Sequence, residues 1–250
     1  MLNSQPQALH QERGQFVVCL ASSEAEVREA QRLRYKVFAE EMGARLSVKE
    51  PGLDQDMYDA YCDHLLVRET DTNEVVGTYR ILSPTQARRL GGFYSDDEFD
   101  LTRLAYLRSR MVEVGRSCVH PAYRRGGVIA LLWSGLADYM KRSGYDYLIG
   151  CASMGMVDGG HRAASLYSQI MGEHMSPIEW RVFPRCALPL EALRTTDAVC
   201  LPPLIKGYLR LGAYVCGDPA WDPDFNTADL LMLLPMAKLD SRYARRFLGS

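Results

Sequence analysis

The alternation of apolar and polar positions divides the chain into a short series of elements. "FVVCL" at 16–20 reads as a strand. The next segment, "EAEVREAQRLRYKVFAEEMG", has helical spacing, with Val27, Ala30, Leu33, Val37 and Phe38 on one face. Ser22 or Ser23 supplies its N-cap and Gly43 its end. "HLLVRE" and "EVVGTYRIL", separated by the turn-forming "TDTN", predict a β-hairpin. "SRMVEVGRSCV" predicts a strand, and "GVIALLWSGLADYMKRSG" an amphipathic helix that stops at Gly144. "YDYLIGCA" follows as a strand, "HRAASLYSQIM" as a helix and "EWRVFPRCAL" as a strand. "PPLIKGYLRLGA" is a short helix with Pro at its start and Gly212 near its end, and "ADLLMLLPM" is the strand that closes the sheet. Residues 83–106 form an excursion of short helical turns, and "KEPGLDQDMYDAYCD" is irregular and acidic.

This order predicts one α/β domain over 15–236, a mixed and mostly antiparallel sheet flanked by helices. A disordered tail is expected over 1–14 and a basic tail over 237–250.

Composition narrows the function classes. With 250 residues, 47% hydrophobic and 24% charged, the chain has an ordinary globular make-up. A net charge of −2 gives no drive toward nucleic acid. The sequence has no 18-residue apolar run and no apolar core of a secretory signal, so the expected place is the cytoplasm. Its seven cysteines, an odd number, suit a reducing compartment. Neither they nor His64, His120 and His161 have metal-ligand spacing, so no metal site is expected.

The chemistry concentrates in "MVEVGRSCVHPAYRRGG". Strand alternation places Met111, Glu113 and Gly115 on one face and Val112, Val114 and Arg116 on the other. A carboxylate in that run is either a desolvated proton acceptor or the partner of an arginine. Arg124, Arg125, Gly126 and Gly127 stand between a strand and a helix. Free N–H groups, the helix dipole and forked guanidinium donors suit a phosphate there. In the acidic stretch, Asp56 and Asp59 are spaced to converge on one turn, either on a cationic substrate or on Arg34 and Arg80.

These residues carry a family resemblance. "VHPAYRRGGVI" resembles the acyl-carrier loop of the GNAT acyltransferases: Val119, Pro121, Arg124 and Gly127 fall on its pattern, and Ile129 stands where a small residue is usual. Arg34-x-x-Val37-Phe38, Asp56-x-x-Asp59, Gly77-x-x-Arg80 and Glu113-x-x-Arg116 resemble, over about residues 30–150, the signature of the acyl-homoserine-lactone synthases. Through nearly all of 15–248, and most specifically in "LPPLIKGYLRLGAYVCGDPAWDPDFNTADLLMLLP", the chain resembles the ornithine N-alpha-acyltransferases of bacterial ornithine-lipid synthesis.

The resemblance implies transfer of a 3-hydroxyacyl group from its phosphopantetheine thioester on acyl carrier protein to the α-amine of L-ornithine. It implies no tightly bound cofactor and no covalent enzyme intermediate. Glu113 carries over as the proton acceptor. Arg34, Phe38, Asp56, Asp59, Arg80 and Arg116 carry over as substrate-side residues. The strand around Ser117 to Val119 and the turn Arg124–Arg125–Gly126–Gly127 carry over as holders of the pantetheine arm and its phosphate. Asp222, Asp224 or Asp229 are the places to look for a contact with the ornithine side chain, with Trp221 and Phe225 as walls of a slot. An amphiphilic product makes weak membrane-surface contact through "SRYARRFLG" a further expectation. The competing readings are an acyl-homoserine-lactone synthase using S-adenosylmethionine, and a non-catalytic module that binds an acyl carrier.

Overall fold

The computed structural model describes residues 10–46, 50–125, 127–195 and 199–239. In chain order these hold β1 (His10–Arg13), β2 (Phe16–Leu20), α1 (Glu24–Tyr35), β3 (Asp63–Glu69), β4 (Val75–Leu82), α2 (Pro84–Leu90), α3 (Ser95–Glu98) and β5 (Phe99–Asp100). Then come β6 (Met111–Val119), α4 (Val128–Ser143), β7 (Tyr147–Gly155), α5 (His161–His174), β8 (Phe183–Pro184) and α6 (Leu190–Leu193). Last are α7 (Pro203–Leu211), β9 (Tyr214–Val215), β10 (Ala220–Asp222) and β11 (Thr227–Pro235). They fall into two compact units interleaved along the chain. Described residues up to Gln86 and 114–145 make the first; 87–113 and those after Tyr145 make the second.

In the first unit, β1, β2, β3 and β4 pair antiparallel in that order, and β6 follows β4. Helices cover both faces. Leu66 clusters with Ala30, Leu33 and Val37 beneath α1, whereas Leu65 and Val18 approach Gly135 of α4. That two-sided cover explains why β4 is buried at every position instead of alternating. Ser23 caps α1 by accepting from Glu26 N. Beyond Tyr35 the helix widens into a π-helix over Lys36–Glu41, with Met42 N donating to Val37 O.

The expected tail over 1–14 is corrected in its second part: His10–Arg13 are a strand, while residues 1–9 lie outside the described residues. Gly14, at φ +62°, opens the two-residue turn into β2. Pairing of this kind needs only backbone groups, so the polar "HQER" gives no apolar signal.

In the second unit, the first three residues of β6 pair parallel with β7. β7 pairs antiparallel with β11, and β11 with both β10 and β9. β11 is therefore an inner strand and not the closing one; all nine of its residues are buried. "EWRVFPRCAL" is not the strand its apolar residues suggest. It holds the end of a 3-10 turn at Trp180 and the two residues of β8, which pair with β5. Among the described residues, no helix is long and apolar enough to cross a membrane. The "SRYARRFLG" segment lies outside the described residues.

Candidate functional site

The acidic stretch of the first unit is a buried ion network and not a solvated loop. Arg34, 0% exposed on α1, donates Nε to Asp54 Oδ2 at 2.7 Å and Nη1 to Asp59 Oδ1 at 2.8 Å. Its Nη2 donates to the Asp54 carbonyl at 2.6 Å. Arg80, from β4, donates Nη1 to both oxygens of Asp56 at 2.6 Å and to Asp59 Oδ1 at 3.1 Å. Arg116 adds Nη2 to Asp56 Oδ2 at 3.3 Å, and its Nε lies 3.5 Å from Asp54 Oδ2. Gln31 Nε2 also donates to Asp59 Oδ2. Burial alone would raise the Asp59 carboxyl, but the hydrogen bonds and charge of Arg34, then Arg80, hold it well below the ordinary carboxylate range. Of the two options for Asp56 and Asp59, the fold takes the one in which they pin Arg34 and Arg80.

Arg116 has φ +52°, a left-handed conformation that a side chain other than glycine rarely takes. The simple alternation expected along β6 does not allow for this residue. Phe38, in the π-helix, packs against the cluster of Ala30, Leu33, Val37, Leu66, Val75 and Cys118.

The turn expected to hold a phosphate leads from β6 into α4 in the first unit. Gly127 sits at the N-cap of the 16-residue α4 with φ +80°. Arg124 is exposed, yet it makes a two-pronged pair with Glu41 at 2.6 Å and donates Nε to Val119 O at 3.3 Å. Arg125 is exposed, and Gly126 lies outside the described residues. Ser117 stands beside the buried Tyr79 phenol. Ile129 is half-buried in the first turn of α4.

Glu113 belongs to the second unit, 5% exposed. Its Oε2 accepts from Tyr94 N at 2.6 Å and its Oε1 from Ser95 N at 2.8 Å. The Ser95 hydroxyl donates to Oε1 as well. The burial expected from its apolar neighbours is present, and three donors converge on the carboxylate. The arrangement fixes the segment that enters α3.

Strand register extends this polar face. Glu113 pairs with Ile149, two residues before Cys151; Asp229 pairs with Ser153, and Asp222 with Thr227. Directly paired residues and those two apart share a face, so Glu113, Cys151, Ser153, Thr227, Asp229 and Asp222 all do. Glu98 of α3 meets them: one carboxylate oxygen of Glu98, Cys151 Sγ and one oxygen of Asp229 lie within 4.8 Å of one another. Burial first, then the charges of Asp229 and Asp222, push the Glu98 carboxyl up to about 8. Asp222 Oδ1 accepts from Asp224 N and Phe225 N, which ties down the turn before β11, while Trp221 and Asp224 are exposed. Sequence reading missed Gln31 and Glu98, and took Asp54 only as one acid of the run. Glu98 had no signal, because its neighbours come from far downstream.

Comparison with known proteins fits this fold. Residues 33–134 match the acetyltransferase (GNAT) domain family. The AHL synthase LasI superposes with a TM-score of 0.53 at 16% identity, covering 94% of this chain and 95% of LasI. FeeM, an N-acyl amino acid synthase from uncultured soil microbes, gives 0.55 at 14% identity, over 90% and 94%. At such identities the likeness is one of fold. Sequence relatives are much nearer. The L-ornithine N(alpha)-acyltransferase of Brucella abortus (strain 2308) is 39% identical over 92% of this chain and 88% of its own length. That of Rhizobium meliloti (strain 1021) is 41% identical over 90% and 81%. Identity of this level along nearly the whole chain, on a GNAT fold, makes the protein an acyltransferase, and it belongs to the family of the L-ornithine N(alpha)-acyltransferases.

Proposed function

We propose that this enzyme moves a 3-hydroxyacyl group from its thioester on acyl carrier protein to the α-amine of L-ornithine, giving lyso-ornithine lipid, the first step of ornithine-lipid synthesis. The observation that carries the reading is the near full-length identity to enzymes named for ornithine N-acylation. In this scheme residues 15–236 act as one acyltransferase domain, in the cytoplasm or at the inner face of the cytoplasmic membrane. The amine must lose a proton to attack the thioester carbon; the nitrogen–carbon bond forms as the carbon–sulfur bond breaks, and the pantetheine thiol leaves. Glu113 takes that proton. Its oxygens already accept from Tyr94 and Ser95, so the Ser95 hydroxyl is the natural relay between amine and carboxylate.

The pantetheine arm runs along Ser117 to Val119, and its phosphate meets Arg124, Arg125 and the N–H groups that follow Gly127 and begin α4. Phosphate binding requires Arg124 to exchange Glu41 for the ligand, and both are exposed enough to do so. Arg34, Asp56, Asp59, Arg80 and Arg116 serve the substrate side by fixing the 54–59 loop, and Phe38 by packing the helix above the donor. Acyl carrier protein is the partner, drawn by Arg124 and Arg125.

The test incubates the purified enzyme with 3-hydroxyacyl carrier protein or the matching coenzyme A thioester, and with labelled ornithine or labelled S-adenosylmethionine. Acylornithine formed from the carrier-protein donor is the expected product. Label passing only from S-adenosylmethionine would sink the reading. Glu113→Gln is expected to lower kcat by about 100-fold or more while the protein still melts cooperatively; equal lipid output from cells expressing either form removes Glu113 from the proton's route.

A further inference from the structure

We propose that Glu98, Asp222, Asp229 and Thr227 form a receptor for an alkylammonium group, which takes the side-chain ammonium of the acceptor amino acid. The inference rests on the ornithine reading above and assigns the contacts that set acceptor specificity.

The first observation is the placement of the acids. Three carboxylates from α3, β10 and β11 gather on one sheet face, and the charges that act on Glu98 there, Asp229 and Asp222, have its own sign. Neither oxygen of Glu98 makes a hydrogen bond of normal geometry, although both are buried; the Cys151 thiol and the Tyr94 phenol only stand near them. The second observation is independent of the acids. Thr227 is 4% exposed and its hydroxyl has no partner, on the same face as Asp229 and directly opposite Asp222. A buried polar atom left unpaired is costly unless a ligand completes it. An ammonium has three N–H donors, and Glu98, Asp229 and the Thr227 oxygen are three acceptors. The site has an approach: Ser153, the cross-strand partner of Asp229, is exposed, and so is Gly155 opposite Thr227.

A divalent metal is the other occupant such acids could take. Burial first, then the charges of Glu98, Asp229 and Glu113, raise the Cys151 thiol well above the ordinary range. A metal would have to displace that proton, whereas an ammonium leaves it in place, and titration with the metal salts alone decides between them. The reacting α-amine is a different nitrogen, and Glu113, two strands away from β11 on the same face, serves that one.

The experiment compares L-ornithine with L-norvaline, which keeps the carbon chain and lacks the terminal amine. Calorimetric titration of the full chain is run with each amino acid and with zinc or calcium chloride alone, alongside initial rates of acylation. Wild type is expected to prefer ornithine by about tenfold or more, and Asp229→Asn to remove most of that preference through KM for ornithine; Glu98→Gln is expected to do so above about pH 8, where the wild-type carboxyl is ionised. Norvaline turnover is the reference for that ratio, and cooperative melting of each variant reports its folding. Thr227→Val removes a hydroxyl with no internal partner, so the fold tolerates it; a loss of about threefold in preference is expected. Unchanged preference in all three variants overturns the proposal, as does zinc or calcium binding that Asp229→Asn abolishes while the ornithine preference survives. Ornithine bound with preference but never acylated would leave the receptor standing and sink the acyl-transfer reading instead.

Discussion

Glu98→Gln is expected to stabilise the protein more at alkaline than at acid pH. The folded chain holds the Glu98 proton up to about 8, while the unfolded chain releases it near the ordinary value of 4.5. Between those limits the native state binds more protons, so wild-type stability falls as pH rises. Glutamine resembles the protonated acid at every pH. Melting temperatures of the two proteins should therefore nearly coincide at about pH 5 and separate by about pH 8, a tenfold difference in proton affinity between folded and unfolded chain being worth about 1.4 kcal/mol. Parallel curves would show that Glu98 carries no raised proton affinity. The same scale shows what a sequence can reveal about buried charge. Arg34, Asp56, Asp59, Arg80, Glu113 and Arg116 stand in short spaced motifs and could be picked out before any fold was known. Their partners were less visible, since hydrogen bonds from Tyr94 and Ser95 to Glu113 come from backbone groups that every residue type possesses.

Gly77 belongs to the Gly-x-x-Arg motif, and at the level of elements its role is contact. A Cβ there would lie 2.6 Å from Val128 Cγ1 and 3.3 Å from Leu132 Cδ1, so the bare backbone is what lets α4 settle on β4. Gly77→Ala is expected to cost about 1–3 kcal/mol in urea unfolding. Gly172→Ala in α5, where a Cβ meets nothing within 4 Å, should be neutral or stabilising. Equal effects would show that the close approach is not what matters. Periodicity found α1, the β3–β4 hairpin, β6, α4, β7, α5, α7 and β11, because each buries a face or both faces against neighbours. It missed β1 and drew β8 too long, where short segments are fixed by pairing and not by a repeating apolar side.

For the molecule as a whole, the relatives and the GNAT fold agree with what the motifs implied, while the interleaving of two compact units had no counterpart in the sequence pattern. No composition shift marks the boundaries, which fall inside α2, inside β6 and between α4 and β7. β11 joins β7, β9 and β10, so a chain stopped after Asn226 should lose protected amides at 147–155 in hydrogen exchange while the first unit keeps its own at 63–82. Protection at 147–155 surviving that truncation would mean that β7 is held without β11.

The late position of β11 also sets an order of events at the ribosome. Once Tyr145 has emerged, every described piece of the first unit has been made. The second unit has by then only 87–113, and must wait for Thr227–Pro235 before its inner strand exists. During that interval an apolar β7 would be left without the neighbour that completes it, the kind of surface that chaperones bind in nascent chains.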